Sequence, residues 1–267
     1  MLFRSTTDRL LTTDSYTSRE KTSTHEIRLA SRGKGPFSYT TGLFYLESEG
    51  GGGFFIWHPF FELIQKIQGR PAETWYVNTE TQKSTTTAKA WFGEGQWKLS
   101  EQLRATLGAR WTNEHKTNVS RSIVLSASVP FTEKPALDWS WWTGRASVDY
   151  AMSKDVLLYG SVATGYKGGG FNAGSTTKPT YDPETVTAYE LGLKSEFLNG
   201  TLRANLSAFY NDYKNMQLAQ RISAAAITAN ADAKTSGLEA ELDRKSTRLN
   251  SQSRVDISYA VFCLKKK

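Results

Sequence analysis

The chain has 267 residues, of which 39% are apolar and 12% are aromatic, and its net charge at neutral pH is +7. Many aromatic rings in a polar composition, with a mean hydropathy of −0.48, argue against a compact soluble core and favour a thin wall between lipid and water. No run approaches the roughly 18 apolar residues of a membrane helix, which excludes helical spanning but leaves spanning by strands open.

The positive charge is concentrated near the C-terminus. Residues 244–267 hold seven Lys and Arg residues and one acid, Asp256, which leaves 26 basic and 25 acidic residues for positions 1–243. The body of the chain is therefore almost neutral, which argues against nucleic acid as a partner. The only cysteine, Cys263, lies in the same basic segment, so the body offers neither a disulfide nor a thiolate metal site.

Alternation of apolar and polar residues predicts β-strands along most of the chain after an irregular N-terminal segment, residues 1–24. The predicted strands lie near residues 25–31, 36–48, 85–98, 102–113, 139–151, 155–165, 186–197, 200–213 and 235–243, with a further candidate at 216–222. The clearest runs last about 9–11 residues, which is longer than the usual soluble strand and suits a tilted membrane crossing.

The connections between these strands alternate between short and long. The short ones are Arg32–Gly35, Ser100–Glu101, Met152–Lys154 and Leu198–Gly200, and the long ones lie near 49–84, 114–138, 166–185 and 214–234. Short periplasmic turns that alternate with long extracellular loops are typical of an outer-membrane barrel. A soluble all-β domain with half-buried strands would explain the alternation of residues but not the sorting of the loops.

Several motifs, in this order, resemble the barrel of the TonB-dependent outer-membrane receptor family. The earlier ones are HEIRLAS (25–31), GLFYLES (42–48) and LRATLGARWTNE (103–114). The later ones are LYGSVATGYKGGGFNAG (158–174), PETVTAYELGLKSEFLNGTLRANLSAFYNDYKNMQ (183–217) and SGLEAEL (236–242). The resemblance covers roughly residues 20–243 and is greatest to the siderophore-receptor branch.

The resemblance implies a bacterial outer-membrane barrel of about 22 strands with a plugged lumen. It also implies uptake of a scarce ligand such as a ferric siderophore, with the energy-transducing protein TonB as partner through an N-terminal region that this sequence lacks. We therefore expect residues 25–243 to form nine or ten strands of an antiparallel transmembrane β-barrel, in contact with outer-membrane lipid and without a plug domain. Two alternatives stay open, a passive porin-like barrel and a soluble β-rich carbohydrate-binding module.

The last segment, residues 244–267, departs from the family pattern. It holds the only cysteine, most of the net charge and a terminal Lys triplet. It resembles a tail that appears when sequencing-adapter DNA is translated, so we predict that it is not native. A native basic extension is the alternative.

No constellation typical of catalysis or of a resident cofactor is present, so we expect neither an enzyme nor a cofactor. The three histidines, His25, His58 and His115, have no spacing typical of metal ligands. The segment GYKGGGFN (165–172) is not a phosphate loop, because its Lys precedes the glycines. We interpret it as an exit from a strand at which glycine permits tight packing or unusual backbone angles.

Ligand contacts are expected from loops and from residues of the lumen. The segment 50–61, GGGGFFIWHPFF, would suit stacking on a flat ligand if it is an exposed loop, or it could belong to an aromatic girdle at the lipid interface. For Arg110 and Arg145, the alternative role is to form ion pairs across strands on a hydrated lumen wall. The candidate contacts are Trp57, His58, Arg110, Arg145, Tyr166, Lys167 and Phe171.

The alternation also predicts which side each residue faces, because an Arg or Lys facing lipid at the bilayer midplane costs about 2–4 kcal/mol. The residues expected on the lipid side are Leu103, Leu107, Trp111, Trp142, Val148, Leu191, Leu202 and Leu206. Those expected on the lumen side are Arg104, Arg110, Arg145, Lys194, Arg203 and Asn205.

Overall fold

The computed structural model describes residues 13–33, 35–57, 66–69, 76–124, 131–133, 135–172, 175, 178–222, 225–244, 257–260 and 263–266. Almost all of these residues belong to antiparallel β-strands. Within these ranges, no helix has the length and apolar character needed to cross a membrane.

Nine long strands form one sheet. They are β1 (Thr13–Ala30), β2 (Phe37–Trp57), β3 (Tyr76–Lys98), β4 (Leu103–Val124), β6 (Ala136–Ala151), β7 (Val156–Lys167), β10 (Glu184–Phe197), β11 (Leu202–Ile222) and β12 (Ala225–Arg244). Each pairs antiparallel with the long strand before and after it in the chain, as the predicted barrel segment requires. In the described part of the chain the sheet does not close on itself, and β1 forms one of its edges.

Five short strands complete the structure. Strand β5 (Phe131–Glu133) pairs with β4, and β8 (Gly170–Phe171) pairs with β9 (Thr180–Tyr181) in a separate small hairpin. Strands β13 (Ile257–Ala260) and β14 (Cys263–Lys266) pair with β12. They lie in the segment that we predict to be non-native. Alternating apolar residues allow such a segment to pair as a strand whether or not it is native. That the segment is non-native therefore stays a prediction.

The short turns lie where the sequence predicts them. Between β10 and β11, Leu198, Asn199 and Gly200 all have a positive φ, of 55°, 55° and 79°. Asn and Gly adopt this conformation at the least cost, which explains the Asn-Gly turn signal. Between β3 and β4, the Ser100 hydroxyl accepts hydrogen bonds from the backbone N–H groups of Gln102 and Leu103, at 3.2 and 3.1 Å.

The register assigns every strand residue to one of two faces, because residues directly opposite each other in antiparallel strands point to the same side. Trp91 is opposite Trp111, and Trp111 is opposite Trp142. Following these pairs from β2 to β12 places all eight residues expected on the lipid side on one face. All six residues expected on the lumen side lie on the other face, so the predicted separation of the two sets is confirmed.

Large apolar side chains on the apolar face are exposed. The exposed fractions are 59% for Leu43, 55% for Leu107, 59% for Leu191 and 55% for Leu206. A continuous exposed apolar surface of this kind is costly in water and is typical of a wall that faces lipid. Ala90 and Ile227 are the only buried apolar residues in the part of the chain that the structure describes, as a one-layer wall requires.

Aromatic side chains form two belts on the lipid face. The upper belt, towards the long connections, consists of Tyr45, Trp91, Trp111, Trp142, Tyr189 and Tyr210, and the lower belt consists of Phe37, Tyr39, Trp97, Tyr150 and Phe197. On three strands the two belts are eight residues apart, which is about 27 Å along a strand and about 20 Å across a bilayer after tilt. This separation approaches the apolar band of about 25 Å that membrane barrels present.

The long strands exceed the predicted lengths. Strands β1–β4, β11 and β12 contain 18 to 23 residues, because hairpins continue well beyond the upper belt. Most of the segments expected as loops at 49–84, 114–138 and 214–234 are therefore paired strands, and β1 already begins at Thr13 inside the segment expected to be irregular. Beyond the membrane both faces of the sheet are polar, so apolar and polar residues no longer alternate along the strands. Thr-rich runs such as TTT at 85–87 still favour strands there.

Candidate functional site

The described residues of the connection between β7 and β10, which are 168–172, 175 and 178–183, fold over the lumen face near the upper end of the wall. We call these residues the mouth loop. On one side the Lys116 ammonium donates to the Gly169 carbonyl oxygen at 2.9 Å. On the other side the Asn172 side chain makes two hydrogen bonds with the Thr228 backbone, at 2.9 and 2.7 Å. The mouth loop therefore links β4 to β12 across the strands between them.

Further polar side chains hold the mouth loop against β11 and β12. The Gln217 amide donates to the carbonyl oxygens of Gly168 and Asp182, at 2.9 and 3.2 Å. The Asn230 side chain accepts from the Asp182 N–H at 2.8 Å and donates to the Asp182 carbonyl at 3.0 Å. These contacts satisfy loop backbone groups that lack partners in a sheet ladder.

Three consecutive glycines, Gly168–Gly170, allow the mouth loop to pack this closely. A Cβ atom built on Gly169 would overlap the Tyr181 carbonyl oxygen and lie 2.6 Å from the Trp139 ring. None of the three has a positive φ; Gly69 and Gly200 are the glycines with one among the described residues. Glycine is therefore needed at these positions for tight packing rather than for an unusual backbone conformation. Tight packing is one of the two reasons that the sequence predicted for the glycines of 165–172.

A group of charged and aromatic side chains lies beneath the mouth loop. It consists of Glu114, Lys116, Trp139, Trp141, Tyr166 and Tyr181, and we call it the mouth cluster. Lys116 forms a 3.0 Å ion pair with Glu114, and both side chains are largely buried, with 20% and 14% exposed. The Lys116 ammonium also lies 5.7 Å from the centre of the Trp139 ring.

Tyr166 completes the mouth cluster from the end of β7. Its ring stacks on Trp141 at 5.6 Å with an interplanar angle of 14°, and its hydroxyl donates to Glu114 at 3.4 Å. Burial, and secondarily the negative charge of Glu114, raises the pKa of the Tyr166 hydroxyl. Burial and Glu114 also raise the pKa of Tyr181. Both phenols therefore remain neutral hydrogen-bond donors at physiological pH.

A polar cavity of about 430 Å³ opens beside the mouth cluster on the lumen face. Its wall includes Glu20, Ser48, Lys116, Asn118, Phe171 and Tyr181. The backbone of Gly50–Gly52 forms part of the same wall. The volume lies within the range of about 300–1,000 Å³ that is usual for small-molecule sites.

The structure brings together only some of the predicted contact residues. Tyr166 belongs to the mouth cluster, and Phe171 lines the cavity. Lys167 is exposed at the end of β7. Trp57 ends β2, where its backbone pairs with Tyr76, so 50–57 is strand rather than loop, and His58 lies outside the described residues.

The two arginines lie lower on the lumen wall. Arg145 forms a 3.0 Å ion pair with Glu94 that passes over Gly108 on the strand between them, as the wall interpretation predicts. Arg110 instead packs against the rings of Phe44 and Phe92.

Sequence reasoning missed most of the mouth cluster. Glu114, Lys116 and Asn118 occupy alternate positions that continue the lumen face of Arg110 along β4. The same alternation places Trp139 and Trp141 on that face of β6. This periodicity was available in the sequence, but residues 114–138 were expected to form a loop.

A protein-family model described as "TonB dependent receptor-like, beta-barrel" matches residues 2–262. The chain belongs to this family. It is therefore a β-barrel protein of the bacterial outer membrane, and its family consists of receptors rather than porins or soluble carbohydrate-binding modules.

Individual relatives agree with this family. The chain is 28% identical over 144 residues to the pesticin receptor of Yersinia pestis, which covers 52% of the chain and 21% of that protein. It is 27% identical over 173 residues to the metal-pseudopaline receptor CntO of Pseudomonas aeruginosa, which covers 62% of the chain and 23% of the receptor. The chain thus spans about a fifth of the length of these curated relatives.

Solved structures share the fold of the receptor barrel. The ferric yersiniabactin uptake receptor FyuA from Yersinia pestis superposes with a TM-score of 0.78 at 20% identity, over 96% of this chain and 37% of that one. The copper transporter OprC gives a TM-score of 0.68 at 14% identity, over 98% and 39% of the two chains. The nine-stranded sheet therefore corresponds to a little over a third of such proteins.

Proposed function

We propose that this receptor barrel takes up a metal chelate, most simply a ferric siderophore, and that the mouth cluster and its cavity provide part of the binding site. The observation that carries the proposal is the mouth loop, which is fixed across the lumen face so that Lys116 and two aromatic side chains, Phe171 and Tyr181, line one cavity. The names of two similar proteins support the same class of ligand, since they are receptors for metal–pseudopaline and for ferric yersiniabactin.

The chemistry of the cavity fits such a chelate. Lys116 provides a cation whose position is fixed by Glu114, by Gly169 and by the Trp139 ring. Phe171 and Tyr181 provide aromatic surface for stacking on a flat or ring-bearing ligand. Affinity would come from several moderate contacts rather than from one charged group.

Uptake against a gradient needs energy, and we propose TonB as the partner that supplies it, as in the family. In this proposal the contact with TonB belongs to the parent protein outside the wall described above, and residues of the wall provide ligand contacts and lipid contacts only.

Binding measurements on the receptor purified in detergent test the proposal. A panel of ferric siderophores is titrated by fluorescence against the wild type, Lys116→Met and Arg203→Gln. Arg203 is the matched control, because it is also a paired cation on the lumen face, 2.8 Å from Glu196, but lies at the lower end of the wall.

We expect at least one siderophore to bind, with about tenfold loss of affinity in Lys116→Met, the loss typical of one charge-assisted hydrogen bond, and little loss in Arg203→Gln. A receptor that binds no siderophore, or one in which the two variants behave alike, would contradict the proposal.

A further inference from the structure

Arg110 is held in an unusual setting on the lumen face of β4, one residue below the upper belt. Its guanidinium carbon lies 5.1 Å from the ring centre of Phe44 and 5.9 Å from that of Phe92. Its Nε donates to the Thr112 hydroxyl at 3.1 Å. These contacts fix the position of the cation and leave its two terminal nitrogens for another partner.

A glycine on the neighbouring strand makes this setting possible. A Cβ built on Gly42 of β2 would lie 2.6 Å from the Cζ atom of the Phe92 ring. The ring can lie across β2 only because residue 42 has no side chain. Three strands thus cooperate to hold Arg110, which argues that the arrangement is a built site.

The charge of Arg110 is not neutralised within the part of the wall that the structure describes. Three other cations of the lumen face have carboxylate partners there, namely Lys116 with Glu114, Arg145 with Glu94 and Arg203 with Glu196, whereas Arg104 and Lys194 form no ion pair among the described residues. Among the same residues, no carboxylate forms an ion pair with Arg110, and no acceptor bonds to its terminal nitrogens.

We infer that Arg110 is a second anion-binding site on the lumen wall, below the mouth cluster, which binds carboxylate groups of the chelate on its inward path. The planar guanidinium presents two parallel N–H donors, which match a carboxylate. Arg110 lies six residues below Lys116 on the same face of β4, about 20 Å along the strand, so the two sites are distinct. This inference rests on the proposed function.

The test measures protection of individual arginines in the full receptor. Purified receptor is treated with the arginine reagent phenylglyoxal, with citrate as the carboxylate probe and glycerol as the neutral comparison, and modified peptides are quantified by mass spectrometry. Arg104 is the matched control, because it lies on the same face of β4 but makes no contact with an aromatic ring among the described residues.

We expect citrate at twice its Kd to slow the modification of Arg110 about threefold, as mass action requires, and to leave Arg104 unchanged. Phe92→Leu, which removes one ring and keeps the charge, should reduce this protection. Equal protection of both arginines, or none, would overturn the inference.

These results are independent of the siderophore titration. Protection of Arg110 in a receptor that binds no siderophore would leave the anion site standing and overturn the proposed function. Siderophore binding without protection of Arg110 would leave the proposed function standing and overturn the anion site.

Discussion

Lys116 and Gly169 are 53 residues apart in the chain, yet the Lys116 ammonium donates a 2.9 Å hydrogen bond to the Gly169 carbonyl oxygen. The bond turns a surface connection into a bridge over the lumen face. It also places the cation of the mouth cluster directly beneath the loop that a ligand would meet first.

The packing of Gly169 should be sensitive to a single methyl group. In Gly169→Ala the new Cβ would overlap the Tyr181 carbonyl oxygen, so we expect the mouth loop to leave the lumen face while the barrel still assembles. Hydrogen exchange of amides 168–172 in the detergent-solubilised receptor should become at least about tenfold faster, since a backbone clash of this kind costs more than 1 kcal/mol. Gly160→Ala is the control, because its Cβ would make only ordinary contacts, with the Leu191 side chain at 3.7 Å and the Glu190 carbonyl oxygen at 3.9 Å. Equal exchange in both variants would refute the packing argument.

Neutralising Glu114 should have the opposite effect on ligand affinity to neutralising Lys116. In Glu114→Gln the Lys116 cation loses the negative charge that lies 3.0 Å away, so it interacts more strongly with an anionic chelate. We expect affinity to rise about two- to fivefold, the scale of one weakened charge–charge contact near a surface. Siderophore titrations of Glu114→Gln and Lys116→Met measure the two effects side by side. Equal weakening in both would show that the ion pair acts as a unit that only positions the loop.

The contacts of Tyr166 predict a dependence on alkaline pH. Its raised pKa means that the folded protein keeps the proton when an unfolded tyrosine has lost it. The stabilisation is therefore complete below about pH 10 and is lost as the pH rises through the folded pKa. Exchange of amides 168–172 should accelerate more steeply above pH 10 in the wild type than in Tyr166→Phe. Identical pH profiles would exclude a contribution of this phenol to loop docking.

Neighbouring residues on β11 should respond oppositely to the same substitution. Leu206 faces lipid midway between the two belts, whereas Asn205 faces the lumen beside Glu241, with which it makes a 2.9 Å hydrogen bond. Leu206→Arg should therefore destabilise the receptor by about 2–4 kcal/mol, and Asn205→Arg by much less. Reversible urea unfolding in lipid vesicles gives both values. A larger cost for Asn205→Arg would reverse the assignment of the faces.

The sequence was sufficient to predict the orientation of residues within the membrane. Leu103, Leu107 and Trp111 alternate with Arg104 and Arg110, and only one assignment of faces keeps the arginines out of lipid. The Asn199-Gly200 turn was equally accessible, because few residues tolerate a positive φ.

Above the membrane the same reasoning failed for a physical reason. Water borders both faces of the hairpins there, so residues such as Thr85 and Thr87 no longer alternate with apolar ones. The mouth loop was inaccessible for another reason. Its position depends on contacts such as Asn172 with Thr228, which join segments far apart in the chain and leave no local pattern.

Accessibility of spin labels along β11 tests the two-faced wall most directly. Single labels are placed at positions 202–210 of the receptor in lipid vesicles, in a background with Cys263→Ser. The wall described above predicts high accessibility to oxygen, which concentrates in lipid, at 202, 204, 206, 208 and 210. It predicts high accessibility to a water-soluble nickel chelate at 203, 205, 207 and 209. Accessibility that does not alternate with a period of two, or alternates with the two sets exchanged, would contradict the assignment of this sheet as a receptor wall with its binding site on the lumen face.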